Sequence, residues 1–249
     1  MWGVIALHQL DWDVAARSAR MESVLVDRAE IVREEIRTPR AAGVAGLIFA
    51  VVVGAVAILW REAVPDATAP PSWVTDSSRR RAILLALQLI PFAGVAFLWF
   101  IGVIRTRLGD REDKLFATAF LGSGVIFVAM LFTGASLMGG LLAHYDGTRP
   151  VSADNVQLVT AISTSLLTSF SLRMAAVFTL VVTNIGRRTG ILPRWLVVIG
   201  FGVALVLFLA PPRTLWATLL FPGWVLILSV YMIIAAEPRS GALESRSQA

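Results

Sequence analysis

Ala42–Trp60 reads AGVAGLIFAVVVGAVAILW, nineteen residues without a single charge. A helix must offer about 20 apolar residues to cross the ~30 Å hydrocarbon core of a bilayer. Five further stretches have the same character: Ala82–Ile104, Leu115–Ala143, Gln157–Asn184, Trp195–Ala210 and Leu215–Ala236. The expected fold is therefore all-α, an integral membrane bundle of six transmembrane helices over residues 42–236. The fifth stretch is short, and a re-entrant hairpin formed with the sixth is the alternative. Residues 1–41 read as a cytoplasmic tail and pre-helix, and 237–249 as a short polar tail expected to be disordered.

Composition agrees with the pattern. Hydrophobic residues make up 57% of the 249, and the charges fall almost entirely between the apolar blocks. A charge at bilayer depth costs at least ~2.5–3.5 kcal/mol, which explains that segregation. The net charge of +5 comes from residues beside the spans, with no interleaved aromatics, so nucleic acid is not an expected partner.

Orientation follows from Lys and Arg in the connecting segments. The N-terminal tail, the 105–114 and 185–194 loops and the C-terminal tail hold fifteen, and the opposite segments hold six. Both termini are therefore expected inside, in a plasma membrane. The run Arg79–Arg80–Arg81 lies on the outer side and opposes the rule. Between Asp11 and Arg37, Met21, Leu25, Val32 and Ile36 give a modest apolar face, as expected of a cytoplasmic amphipathic helix that solvent, the interface or a partner would cover. The first ten residues lack the basic start and cleavage site of a signal peptide.

Inside the membrane, Ala42, Gly46, Ala50 and Gly54 form a stripe of small residues spaced by four. Such a stripe lets another backbone approach, within the bundle or in a homo-oligomer. Pro91 and Pro222–Gly223 interrupt the second and sixth spans. The fourth span carries hydroxyls at Thr160, Ser163, Thr164, Ser165, Thr168, Ser169 and Ser171, then Arg173. Counted from Asn184, Arg173 is ~16 Å deep at 1.5 Å per residue. An arginine there must face protein or water. Ser165, Ser169 and Arg173 share a helix face, to which Asn184 returns. No span encloses a carboxylate, so the expected partners of Arg173 are hydroxyls, Gln88, carbonyls near Pro91, water or an anionic ligand. Two readings stay open: a structural arginine, or a polar cavity around Arg173, Ser165, Ser169 and Gln88 that takes an anion or a lipid headgroup.

The absences are informative as well. There is no cysteine, two histidines and one lysine, Lys114, at a span boundary. These leave no thiolate metal site, no paired haem histidines and no buried Schiff-base lysine. No P-loop, HExxH motif or nucleophile elbow occurs. No cofactor, metal or catalytic residue is expected, and the chain does not read as an enzyme.

Three stretches carry a resemblance: Arg105–Gly124 (RTRLGDREDKLFATAFLGSG), Leu172–Phe178 (LRMAAVF) and Arg188–Trp195 (RTGILPRW). From about Ala82 to the sixth span, the chain resembles a group of small uncharacterised multi-pass membrane proteins of high-GC Gram-positive (actinobacterial) bacteria. The resemblance implies a bacterial membrane and no activity. The arginine bias, 21 of 22 basic residues, points to the same kind of genome. Two functions remain at this level. One is a transport- or permeation-related protein with a polar cavity. The other is a non-catalytic accessory or scaffold subunit. The partners expected are the lipid bilayer, a second copy or another membrane protein, and a lipid or anionic ligand.

Overall fold

A computed structural model describes residues 39–65, 69–108, 114–145, 152–211 and 215–235. The expected amphipathic pre-helix and the polar tail lie outside them. The helices are α1 (Pro39–Ala63), α2 (Ser77–Leu108), α3 (Lys114–His144), α4 (Ala153–Ser165), α5 (Ser171–Arg188), α6 (Arg194–Leu209) and α7 (Leu215–Ala235). A 3₁₀ turn, Pro71–Thr75, precedes α2, and no strand occurs among the described residues. A π-helical turn, Leu166–Phe170, joins α4 to α5, so that Ala153–Arg188 runs as one 36-residue span.

Five helical spans are long and apolar enough to cross a membrane: Ala42–Ala63, Ser77–Arg105, Phe116–His144, Ala153–Arg188 and Ala217–Ala235. Helix α6 is as apolar but has 16 residues, ~24 Å of rise. The outer surface shows why these helices suit lipid. Phe92, Val198 and Leu209 are 68–70% exposed, and Trp99 and Ile58 more than half. A helix apolar on both its buried and exposed faces is a membrane helix, since in water the second face would be polar.

The bundle closes on itself. Helix α1 packs on α2 and α7, α3 on α2, α4 and α5, and α6 on α5 and α7. Small residues set these approaches. A Cβ added at Gly46 would collide with Ser229 Oγ of α7 and come within 2.8 Å of the Phe100 ring of α2. At Gly134 of α3 it would come within 2.8 Å of Leu167 and 3.1 Å of the Ser163 carbonyl. Ala42, Gly46 and Ala50 are buried inside the single chain, whereas a Cβ at Gly54 meets nothing.

Two of the three arginines at the start of α2 have structural partners. Asp76 caps α2: its carboxylate accepts from the Ser78 amide at 2.9 Å and the Ser78 hydroxyl at 2.6 Å. Those bonds, helped by the amide and charge of Arg79, hold the Asp76 carboxyl below the ordinary carboxylate range. A depressed carboxyl stabilises above its unfolded pKa, so this cap is lost only as pH falls below the usual range. Arg80 reaches across to the end of α3 and donates to the carbonyls of Leu142 at 3.1 Å and Tyr145 at 2.9 Å. It satisfies a helix C-terminus and lies over the Tyr145 ring. Arg81 is exposed. Arg80→Ala should therefore lower the melting temperature in detergent, while Arg81→Ala leaves it within a degree or two of wild type. Equal effects would show that the α3 cap is dispensable.

Candidate functional site

The site begins where α1 leaves the bundle core. Helix α1 contacts α2 and α7, and across from it stand α3 and the α4–α5 rod. Between them is a recess of about 450 Å³. Its mouth carries Arg61 and Pro65, its walls Val56, Thr164, Thr168 and Ser171, and its floor Phe127 and Phe221. Pro222 lines it, whereas Pro91 is exposed on the outer surface of α2.

The π turn shapes this wall. The Ser171 amide bonds the Leu166 carbonyl five residues back, which widens the helix there. Hydroxyls then serve neighbouring carbonyls: Ser171 Oγ donates to Leu167 at 2.6 Å and Thr168 Oγ1 to Thr164 at 2.8 Å. With their protons used, these oxygens offer lone pairs. Ser163 donates across to the Gly134 carbonyl of α3 at 2.6 Å, fixing the rod against it. Among the lining residues, Trp60 Nε1 and Thr164 Oγ1 are buried without a hydrogen-bond partner. An unmet buried polar group costs ~1–3 kcal/mol, which a bound polar group or water would offset after a small side-chain shift.

A second cavity, about 320 Å³, opens at the opposite end of the bundle. Ile104, Val182, Leu192, Leu228 and Met232 make it apolar, and Arg105, Arg187 and Arg194 are exposed beside it in sequence. Between the two cavities lies a septum of phenylalanines. Phe49 of α1, Phe97 of α2, Phe127 of α3, Phe178 of α5 and Phe221 of α7 meet there. Phe97 is central, with ring centroids at 4.5 Å to Phe49, 5.0 Å to Phe178 and 5.1 Å to Phe127. Each of the five rings is at most 2% exposed.

Neither cavity is lined by Arg173, Ser165, Ser169 or Gln88. The hydroxyl-lined recess is on a different face of the same rod from Ser165, Ser169 and Arg173. Ser165 is exposed, Ser169 and Arg173 are half-buried, and Gln88 is exposed on α2. Arg173 donates through Nη1 to the Ser169 carbonyl at 2.9 Å, a bond within its own helix. Thr164, Thr168 and Ser171 also repeat at i, i+4 and i+7, so the sequence contained two hydroxyl faces. Arg173 drew attention to one, and the recess uses the other. Trp60, Arg61 and Thr218 of the recess had no such signal, because their place depends on how α1 and α7 pack.

Among the described residues no group of three His, Cys, Asp or Glu could hold a metal ion. No protein-family model matches the chain, and no curated protein or solved structure is significantly similar to it.

Proposed function

We propose that this chain is a transport- or permeation-related membrane protein that admits a small amphiphilic solute through the Arg61 recess. The observation that carries the reading is the pair of cavities facing each other across one phenylalanine septum. That arrangement is a solute path closed at its middle. The recess joins apolar walls to hydroxyl oxygens and one guanidinium, and among the described residues no carboxylate lines it. A solute with an apolar body and an anionic or hydrogen-bonding end fits that lining. The chain acts without catalysis and without a cofactor. Its α6 is a sixth, thinner crossing, both termini lie in the cytoplasm, and the membrane is the plasma membrane of a high-GC Gram-positive bacterium. The orientation draws support from Arg80, whose charge is engaged as a cap and weighs less against the inside excess.

The absence of cysteine makes the test direct. Thr168→Cys, in the recess, should react in intact cells with a membrane-impermeant thiol reagent, as should Ser72→Cys on the outer turn. Gly109→Cys should react only after lysis. Reaction of Gly109→Cys in intact cells would invert the topology. A Thr168→Cys that stays unreactive from both sides would remove the solute path.

A further inference from the structure

The α4–α5 rod has an outward stripe that lipid alone serves poorly. Leu158 is 59% exposed, Ile162 43%, Phe170 53% and Leu180 47%. Ser165 is exposed among them, and Ser169, Arg173 and Asn184 are half-buried on the same side. Arg173 lies fifteen residues before Arg188, ~22 Å along the rod, and twenty after Ala153. Its guanidinium has five N–H donors, and the Ser169 carbonyl takes one. Among the described residues, none of another helix bonds it. A cation so placed is stable in a bilayer only against protein, water or a counter-charge.

We propose that this stripe is the docking face for another membrane protein, whose transmembrane helix places an Asp or Glu against Arg173. Charge selects that occupant. On the described spans the acidic residues, Glu62 and Asp154, sit at the ends, so a second copy brings no carboxylate to this depth. Two copies related by a two-fold axis through the stripe would set arginine against arginine. A lipid phosphate stays at the interface, farther away than the side chain can snorkel. A carboxylate in a partner helix meets the guanidinium with two parallel hydrogen bonds, and Ser165 and Ser169 extend the polar contact along the rod. This face is distinct from the one that lines the recess, so docking there does not depend on the solute reading.

The test uses the purified full chain in phosphatidylcholine vesicles. The probe is a fluorescent leucine-rich transmembrane peptide carrying Asp at its centre, compared with peptides carrying Lys or Leu there. Energy transfer should show the Asp peptide binding at least about ten-fold more tightly than the other two. Arg173→Leu should reduce its binding to their level. Leu180→Trp, which leaves the charge and the interior intact, should weaken it by obstructing the face. Equal binding of the three peptides, or binding of the Asp peptide that survives Arg173→Leu, would overturn the proposal. So would Arg173-dependent self-association of the chain in the same vesicles.

Discussion

Gly46→Leu should abolish stable folding of the bundle, while Gly54→Ala, two helical turns along the same small-residue stripe, should leave it unchanged. The two glycines look alike in sequence and differ in what stands opposite. At Gly46 even a Cβ collides with Ser229 Oγ and presses the Phe100 ring. A leucine would drive α1 away from both α2 and α7, the two helices it packs on. Overpacking a tight core costs ~1–3 kcal/mol for small additions and more for a whole side chain. Apolar burial does not drive helices together in lipid, so this close packing is what holds α1 in place. At Gly54 a Cβ meets nothing within 4 Å, and alanine is the better helix former. Melting curves in mild detergent check both variants. A Gly46→Leu protein that melts like wild type would mean that α1 is not seated as described.

Phe97→Ala should have the second large effect, on both stability and permeability. Phe97 touches Phe49, Phe100, Phe127, Phe178 and Phe221, so its removal empties the centre of the septum. In a water-soluble core this substitution costs ~3–5 kcal/mol. In a bilayer the van der Waals share remains. The space left behind lies between the floor of the recess and the second, apolar cavity, and it shortens the barrier between them. Proteoliposomes of Phe97→Ala should leak a small anion faster than wild type. Phe92→Ala, of equal size change but 68% exposed to lipid, should not. A sealed Phe97→Ala protein that folds would separate the septum from any path.

The fold was largely legible because membrane helices are written in composition. Charge-free runs such as Ala42–Trp60 need no tertiary context to declare their environment. Helices α1, α2, α3 and the α4–α5 rod run past the expected span ends, α2 beginning at Ser77 where Ala82 was expected. The reason is that Asp76 caps the helix at Ser77, ahead of the charge-free stretch. Facing was harder to read. Arg173 and the two serines do share a side, but a guanidinium looks inward only on the assumption that polar groups shun the outer surface. Nothing in the order of residues says which side of α4–α5 meets α1. The recess depends on α1, α3, α4, α5 and α7 together, and the Arg61 end of α1 is just another helix terminus until they are assembled.

The π turn at Leu166–Phe170 leaves Ala153–Arg188 as two helices spliced one residue out of step. Past the splice every position is turned by about 100°, so Ala176 points inward and Val177 takes the outward place that an unbroken α-helix would give to Ala176. The end of α4, the turn and the first residue of α5 build the hydroxyl wall, and the rest of α5 keeps Phe178 in the septum and Val182 in the far pocket. Because the two halves keep separate registers, a lineage can rewrite the recess wall between Thr164 and Ser171 while leaving the rest of α5 in step with its neighbours. A one-residue deletion within the turn would let the rod close as an unbroken α-helix, keeping Arg173 and the side chains beyond it on their present faces while erasing the widened wall.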